Sequence, residues 1–201
     1  YFKRMLLSVV ITCFNSEDTI GKTLESIKDI ADEIVVIDSG STDRTIDIVK
    51  KYNVKLFYRK WINAGNQYNF AFKIASGKWI LLIDSDEELS NELRDSIKKT
   101  ITKKDCADCY MVNRKTYYLG KFLNHIWHPE WRVRLFKNGK VRFEERVHGA
   151  AKCKGSVKKL KGELYHYSFK SLSDQYLRTV IFAKQFVEYI YPKKRKIKFL
   201  N

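Results

Sequence analysis

The fold is decided by Trp79-Ile80-Leu81-Leu82-Ile83-Asp84-Ser85-Asp86, a short apolar run that ends in two aspartates. A continuous apolar run of this length is typical of a strand buried on both faces of a parallel sheet. Residues two apart in an extended segment project to the same side, so Asp84 and Asp86 can face one ligand. Such a carboxylate pair suits Mg²⁺ or Mn²⁺ bound to a substrate diphosphate. Two solvated aspartates in a loop are the alternative interpretation.

Upstream of this stretch, apolar β-branched runs alternate with amphipathic helical patterns. Ser16 and the turn Ser39-Gly40-Ser41-Thr42 supply helix N-caps. Gly77 follows the third helical pattern and is predicted to end it in the left-handed conformation. The predicted order is strand 7–13, a helix after Ser16, strand 33–38, a helix after Thr42, strand 54–58, helix 65–76 and strand 78–84.

This alternation predicts an α/β fold, with a parallel sheet, right-handed crossovers and helices on both faces. Ligands of such sheets bind beyond the carboxyl ends of the strands. Polar and acidic side chains concentrate at three of these ends, in 12–15, 38–43 and 84–86. We therefore expect the ligand site at this edge of the sheet.

After residue 100 the pattern changes to shorter strands, predicted at 108–115, 131–137 and 163–169. A last helix is predicted from about Ser171, with Asp174 completing a capping box. Five cations follow among apolar residues in 192–200. The sequence thus divides into an α/β half over 1–100, a half of the same domain with shorter strands over 101–170, and a basic amphipathic segment over 171–201 suited to a membrane surface.

The charge of the chain is distributed unevenly. Its 201 residues are 44% hydrophobic, which excludes disordered and collagen-like classes. The net charge is +16, yet residues 1–100 carry 15 basic and 15 acidic side chains, so the whole excess lies in the second half. No apolar run approaches the roughly 18 residues of a membrane span, and no export signal is visible. Four cysteines favour a reducing cytoplasm over a disulfide scaffold.

Several classes of site lose support from the sequence. Neither G-x-G-x-x-G nor G-x-x-x-x-G-K-[ST] occurs, which disfavours dinucleotide and P-loop sites. Cys106 and Cys109 with His125 and His128 imitate a zinc site, but the histidine spacing is one residue short. A basic nucleic-acid-binding module is a competing class, yet it leaves the acidic strand ends unexplained. A nucleotidyltransferase would need a glycine-rich phosphate loop that the chain lacks.

Three ordered motifs resemble the inverting family 2 glycosyltransferases of the GT-A fold. They are Ser8-Val9-Val10-Ile11-Thr12-Cys13-Phe14-Asn15, Asp38-Ser39-Gly40-Ser41-Thr42-Asp43 and Asp84-Ser85-Asp86. The narrower resemblance is to the bacterial enzymes that add glucose to the inner-core heptose of lipopolysaccharide. It is carried by Asp84-Ser85-Asp86-Glu87-Glu88-Leu89, Tyr117-Tyr118-Leu119-Gly120 and Trp131-Arg132-Val133-Arg134-Leu135-Phe136.

The resemblance implies a UDP-sugar donor, Mg²⁺ or Mn²⁺, and a set of site residues. It makes 1–100 the donor-binding half and 101–170 the acceptor-side half of one domain. Asp84 would touch the ribose and the metal, and Asp86 would be the main metal ligand. Where many members of the family have Arg-Asn, this chain has Tyr68-Asn69, so a phosphate-contacting arginine is missing there. The residues expected to contact the nucleotide are Thr12, Phe14, Asn15, Asp38, Asn69 and Asp84, and of these Thr12, Phe14 and Asp38 would contact the uracil.

Inverting transfer needs a group that takes the proton of the acceptor hydroxyl. Glu130 lies just before the cationic strand, where the resemblance places the acidic base. An ordinary surface glutamate that pairs with Arg132 is the alternative interpretation. Glu144 and Glu145 are its rivals, although Glu144-Glu145-Arg146 also reads as a surface turn.

Positive charge is needed beside the leaving diphosphate. Arg132 and Arg134, on one face of the predicted strand, are candidates for contacts to the diphosphate or to an acceptor phosphate, because guanidinium binds such oxygens bidentately. A solvated edge strand is the alternative. His148 and His166 read as satisfied polar residues, but the resemblance makes each a candidate late ligand of the metal or diphosphate.

Together these features predict a cytoplasmic enzyme on the inner face of the membrane. It would transfer a hexose, with glucose favoured by the resemblance, from a UDP-sugar to a phosphorylated lipid-linked glycan, and it would bind no nucleic acid. Its cationic half would attract anionic lipid and acidic acceptor. A family 2 enzyme acting on another cell-surface glycan is the alternative. Bare residue types fix neither the donor sugar nor the acceptor hydroxyl, nor the oligomeric state.

Overall fold

The computed structural model describes residues 6–146, 149–169 and 171–190. Contacts divide the chain after Ser168, and the two units are described separately below. The first unit contains the whole sheet, which runs without a break across the boundary between the predicted donor and acceptor halves.

The strands and helices follow the predicted alternation in the first half. The strands are β1 (Leu7–Cys13), β2 (Glu33–Asp38), β3 (Lys55–Tyr58), β4 (Trp79–Asp84), β5 (Glu87–Leu89), β6 (Cys109–Tyr118), β7 (Lys121–Phe122), β8 (Glu130–Lys137), β9 (Val141–Phe143), β10 (Ala151–Cys153) and β11 (Val157–His166). The helices are α1 (Ile20–Ile27), α2 (Thr45–Val49), α3 (Ala64–Ile74), α4 (Asn91–Thr102) and α5 (Leu172–Ile190).

The main sheet has the order β3-β2-β1-β4-β8-β6-β11-β5. Strands β1 to β4 are mutually parallel, as the sequence predicts. The register aligns their carboxyl ends, because Cys13 is opposite Asp38 and Thr12 is opposite Asp84. The three polar strand ends therefore lie side by side at one edge.

Helices cover both faces of the first half of the sheet. Successive residues of a strand point to opposite faces. Accordingly, Val9 packs in one core with α1 and α4, whereas Val10 packs in a second core with α3. Two buried layers of this kind hold the strand ends rigidly at the ligand-binding edge.

The predicted role of Gly77 is wrong. Helix α3 ends at Ile74, and its C-cap Ala75 is extended (φ −62°, ψ 127°). Glycine is instead required at 77 by a close approach, since a Cβ there would lie 2.6 Å from the Ser8 amide nitrogen. The Gly77 N–H donates to Ser8 Oγ at 2.8 Å.

The second half of the sheet is mixed. Strand β8 runs antiparallel to β4 and β6, whereas β11 is parallel to β6 and antiparallel to β5. Neither the short β5 nor helix α4 is predicted from the sequence. This pairing matters for the site, because it places His166 opposite Glu87, immediately after the two aspartates.

The second unit contains helix α5. Ser171 Oγ accepts the Asp174 N–H at 3.1 Å, so the predicted cap is formed. Many of its apolar side chains, such as Leu177 and Val180, are exposed within the described residues. No helix in the described ranges is long and apolar enough to span a membrane. The basic stretch 192–200 lies outside the described residues.

Candidate active site

Asp38 organises the loop that follows β2. Its carboxylate accepts the N–H groups of Gly40 at 2.8 Å and Ser41 at 3.0 Å, and the Ser41 hydroxyl at 2.5 Å. Gly40 can take the required positive φ of 105° without strain. The carboxylate is buried and serves its own loop, so its direct contact with uracil stays a prediction.

Asn15 joins this loop to the end of β1. Its Oδ1 accepts the Thr42 N–H at 2.8 Å, and its own N–H donates to Ser41 Oγ at 2.9 Å. Asn15 adopts φ 47°, a left-handed conformation that asparagine tolerates. The structure therefore gives Asn15 a role in shaping the edge, and a direct nucleotide contact remains a prediction.

Two aromatic rings stand at this edge. Phe14, predicted to contact the base, is 57% exposed beyond the half-buried Thr12. Tyr58 ends β3 opposite Asp38 and is 72% exposed. A Cβ on Gly40 would lie 3.3 Å from the Tyr58 ring. Sequence reasoning missed Tyr58, although an aromatic residue at the end of a third parallel strand was a usable signal.

Asp84 has both carboxylate oxygens engaged. The Tyr68 hydroxyl donates to Oδ1 at 2.7 Å, and Arg134 donates to Oδ2 at 2.6 Å. Burial alone would raise the pKa of Asp84, but Arg134 and the Tyr68 hydrogen bond outweigh it and hold the pKa below its usual range. Tyr68 thus serves the first aspartate of the motif.

Arg134 is buried between two carboxylates, Asp84 and Glu87. It contacts Asp84 Oδ2 at 2.6 Å and Glu87 Oε1 at 2.5 Å. Arg134 cannot make the expected contact with a phosphate in this arrangement, because the residue is only 5% exposed. Arg134 instead holds Asp84, the first aspartate of the Asp84-Ser85-Asp86 motif.

Asp86 and His166 form the place best suited to a divalent cation. His166 Nε2 lies 3.6 Å from Asp86 Oδ2, and the Asp86 side chain is 28% exposed. Ser168 Oγ lies 2.7 Å from His166 Nδ1 and 3.2 Å from Nε2, so it contacts the same imidazole as Asp86. In the described part of the chain, no group of three or more potential ligands occurs. One carboxylate and one imidazole, completed by phosphate and water, fit Mg²⁺ or Mn²⁺.

Glu130 is held by two arginines. Arg114 binds it bidentately, with Nε at 2.6 Å from Oε2 and Nη2 at 2.9 Å from Oε1. Arg132 Nε donates to Oε1 at 3.0 Å. Burial raises the pKa of Glu130, but the two guanidinium groups outweigh this and lower it below its usual range. The carboxylate is therefore ionised at neutral pH.

The rivals of Glu130 have other partners. Asn66 and Asn69 donate to Glu145 at 2.8 and 3.0 Å. Glu144 pairs with Arg146 at 2.6 Å, and hydrogen bonds from Arg146 lower its pKa to about 2. Asn69 also brackets the backbone of Phe143 through both parts of its amide, so its predicted nucleotide contact competes with a structural role. His148 lies outside the described residues.

Oppositely charged side chains form an unbroken series from Asp84 to the candidate base Glu130. Glu87 is fully buried and reaches Arg114 Nη1 at 3.6 Å. Burial raises the pKa of Glu87. We call this series the charge ladder; its members in order are Asp84, Arg134, Glu87, Arg114, Glu130 and Arg132. The sequence alone pairs none of its members across strands.

The sheet order and the D-x-D motif at the carboxyl ends of the strands are those of the GT-A class of transferases. Solved structures share this fold. Staphylococcus aureus TarS 1-349 in complex with UDP-GlcNAc matches with TM-score 0.65 and 20% identity over 92% of this chain and 67% of that chain. The mannosyltransferase PcManGT from Pyrobaculum calidifontis, in complex with GDP-Man and Mn²⁺, matches with TM-score 0.63 and 16% identity, covering 99% and 67%.

Relatives by sequence are glycosyltransferases. The lipopolysaccharide core biosynthesis glycosyltransferase LpsC of Rhizobium meliloti is 31% identical over 87% of this chain and 68% of its own length. An uncharacterized glycosyltransferase of Rickettsia typhi is 29% identical over 83% and 61%. The chain thus spans about two thirds of these relatives.

The sequence pattern of glycosyl transferase family 2 matches residues 8–161. The chain therefore belongs to glycosyl transferase family 2, and the predicted GT-A fold and enzyme class are confirmed.

Proposed function

We propose that this chain is the catalytic domain of an inverting, divalent-cation-dependent glycosyltransferase. It would transfer a hexose from a UDP-sugar to an inner-core heptose of lipopolysaccharide or lipooligosaccharide, with glucose the favoured donor sugar. The observation that carries this proposal is the approach of His166 to Asp86 at the edge where α/β sheets bind ligands. The name of LpsC supports the acceptor class.

Asp86 and His166 would hold the cation, and when bound it would supply positive charge to the leaving diphosphate. Asp84 would be kept in a fixed orientation by Tyr68 and Arg134. Because both of its oxygens have partners, Asp84 would reach the ribose or the metal only by exchanging one of them.

The exposed Phe14 and Tyr58 would flank the uracil at the ends of β1 and β3. Aromatic rings provide stacking surface for a base. Asp38 and Asn15 would keep the two adjoining loops in one conformation through their bonds to loop N–H groups. The aromatic rings would thus contact the base, while Asp38 and Asn15 would hold the loops beside it.

Glu130 would act as the base. As the acceptor oxygen bonds to the anomeric carbon from the face opposite the diphosphate, the hydroxyl proton would pass to the Glu130 carboxylate and the bond to the diphosphate oxygen would break. A base must be unprotonated to act, and the two arginines keep Glu130 ionised.

The donor and metal assignments are tested by hydrolysis of UDP-glucose with and without Mn²⁺ or Mg²⁺. We expect cation-dependent turnover that Asp86→Ala reduces by at least about 100-fold. Asp95→Asn, an exposed acid on α4, is the matched control and should be unaffected. The proposal would be refuted if UDP binding did not depend on the cation and Asp86→Ala left turnover unchanged. Competition of UDP-sugars for UDP binding then identifies the donor.

The base assignment is tested with Glu130→Gln, which should abolish transfer and spare UDP binding. Transfer retained in this variant would move the role to Glu144 or Glu145. Extracted lipooligosaccharide with an unextended inner core serves as acceptor, and the same glycan with its phosphates removed tests whether acceptor phosphate is needed.

Peripheral association with the inner membrane face is part of the proposal. The exposed apolar side chains of α5 and the cations of 193–198 supply the two components of interfacial binding. We expect salt-sensitive binding to anionic liposomes, little binding to neutral ones, and loss of binding on deletion from Lys193. Equal binding of the deleted chain would show that this segment is not the membrane contact.

A further inference from the structure

The two arginines on Glu130 differ in how firmly they are held. The Arg114 side chain is 17% exposed and contacts both Glu130 and Glu87. The Arg132 side chain is 54% exposed, and its ion pair within the described part of the chain is with Glu130. One arginine is therefore built into the charge ladder, and the other closes its open end.

We propose that Arg132 is a mobile cap on the base: a phosphate group of a bound substrate takes the Arg132 guanidinium away from Glu130, while Arg114 keeps the carboxylate in place. The proposal rests on the assignment of Glu130 as base. The phosphate belongs either to the donor diphosphate or to a phosphorylated acceptor, since the guanidinium fork binds both in the same way.

Replacing Glu130 by a substrate phosphate as the partner of the guanidinium is favourable for Arg132 and unfavourable for Arg114. An ion pair whose arginine is half exposed is weak, so a phosphate with more negative charge can compete for Arg132. Departure of Arg114 would remove a partner from Glu87, whose side chain is 0% exposed. Uncompensated charge at such a buried position is costly.

Movement of Arg132 would change the strength of the base when a substrate is present. Glu130 is then left with Arg114 as its contacting cation, with Glu87 behind that arginine. Nearby, His128 in the loop before β8 contacts Glu163 of β11 at 3.3 Å and Asn113 of β6 at 2.9 Å. Loss of one of two guanidinium partners raises the proton affinity of a carboxylate. The resting enzyme would keep a weak, ionised base and strengthen it on substrate binding.

The test is an NMR titration of the Glu130 carboxyl carbon in the full chain, with the signal assigned from Glu130→Gln. Wild type and Arg132→Gln are titrated alone, with saturating Mg²⁺-UDP, with glycerol phosphate and with uridine. Saturation of each protein is verified by calorimetry. Arg142→Gln, which removes an exposed arginine paired with Glu145, is the matched control.

We expect Arg132→Gln to raise the pKa of Glu130, and Arg142→Gln to leave it unchanged. Mg²⁺-UDP or glycerol phosphate should raise the wild-type pKa and add little in Arg132→Gln, whereas uridine should do nothing. A shift with Mg²⁺-UDP assigns the donor diphosphate, and a shift with glycerol phosphate alone assigns an acceptor phosphate. The proposal is overturned if neither Mg²⁺-UDP nor glycerol phosphate shifts the pKa of Glu130 in wild type. It is also overturned if the shift is equally large in Arg132→Gln.

Failure of the cap and failure of the base are separable. If Glu130→Gln keeps transfer while Mg²⁺-UDP still raises the pKa of Glu130, the movement of Arg132 is supported and the base assignment is wrong. If Glu130→Gln abolishes transfer and no phosphate ligand moves the pKa, the base assignment is supported and the cap is wrong.

Discussion

The two halves of the sheet hold their carboxylates by different means. At the ends of β1 and β2, Asp38 and Asp43 accept hydrogen bonds from N–H and hydroxyl groups of their own and the adjoining loops. In the second half, Glu87 and Glu130 are held by arginines from strands distant in sequence. Asp84 stands between the two regions, with one oxygen on Tyr68 and the other on Arg134.

Two kinds of contact therefore have different consequences. Local hydrogen bonds shape the loops at the strand ends, whereas ion pairs between strands set the charge of the carboxylates. Local hydrogen bonds fix loop conformation and lower the pKa of Asp43 against the effect of its burial, but they come from neutral groups and so add no second charge. Ion pairs across strands fix the protonation state of each carboxylate and couple it to its neighbours. In the second half, a bound anion that takes an arginine from an ion pair would therefore change the pKa of the proposed base, Glu130.

The largest expected effect comes from breaking the charge ladder at Arg134. Arg134→Met leaves Asp84 and Glu87 without their shared cation in a buried position, so we expect a loss of about 3–5 kcal/mol of unfolding free energy. Urea denaturation at pH 7 measures it. The double variant Arg134→Met/Glu87→Gln should recover part of the loss, because one uncompensated charge is removed. A loss below about 1 kcal/mol would mean that the two carboxylates are not held by this arginine.

A smaller effect is expected from the local network of the first half. Asp38→Ala removes the acceptor of the Gly40 and Ser41 N–H groups and should cost about 1–3 kcal/mol. Asp38→Asn keeps one acceptor oxygen and should cost less. UDP binding, followed by calorimetry, should weaken in the same order. Equal stability of all three proteins would show that the loop needs no acceptor at 38.

The same difference explains which features the sequence predicts. The turn Asp38 to Asp43 is encoded by neighbouring residues, and the parallel strands by apolar runs, so the positions of both are predicted correctly. The predicted N-caps at Ser16 and in 39–42 are wrong, because α1 and α2 begin after Thr19 and Arg44, neither of which caps its helix through its side chain. Arg132 and Arg134 look equivalent in the sequence because they alternate in one strand. Only the pairing of β4 with β8, and of β5 with β11, makes Arg134 buried and leaves Arg132 exposed. Glu87 and Arg114 were missed because their partners are non-local. Tyr58 was missed although its place at the end of a third parallel strand is visible in the sequence.

The contrast between the two arginines gives the next prediction. Arg132→Gln should change the unfolding free energy by less than about 1 kcal/mol, since the side chain is half exposed. Denaturation of this variant beside Arg134→Met compares two positions of one strand directly. A loss for Arg132→Gln as large as that for Arg134→Met would show that exposure does not separate their roles.

The smallest effect concerns Lys55 in the first half, where Glu33 is buried. Ser8, the Ser76 N–H and Lys55 at 2.6 Å all contact the Glu33 carboxylate. Burial opposes ionisation, but these partners together lower the pKa of Glu33 from 4.5. The stabilisation they give is therefore present above pH 4.5 and is lost as the pH falls through the folded-state pKa.

Because Lys55 is half exposed and the other partners remain, Lys55→Met should cost less than about 1 kcal/mol at pH 7. Its stability should converge with that of wild type as the pH is lowered below 4.5. Ser8→Ala should cost more, since it removes a buried hydroxyl that also accepts the Gly77 N–H. Urea denaturation across this pH range measures both. A larger loss for Lys55→Met than for Ser8→Ala would show that the first half also depends on ion pairs.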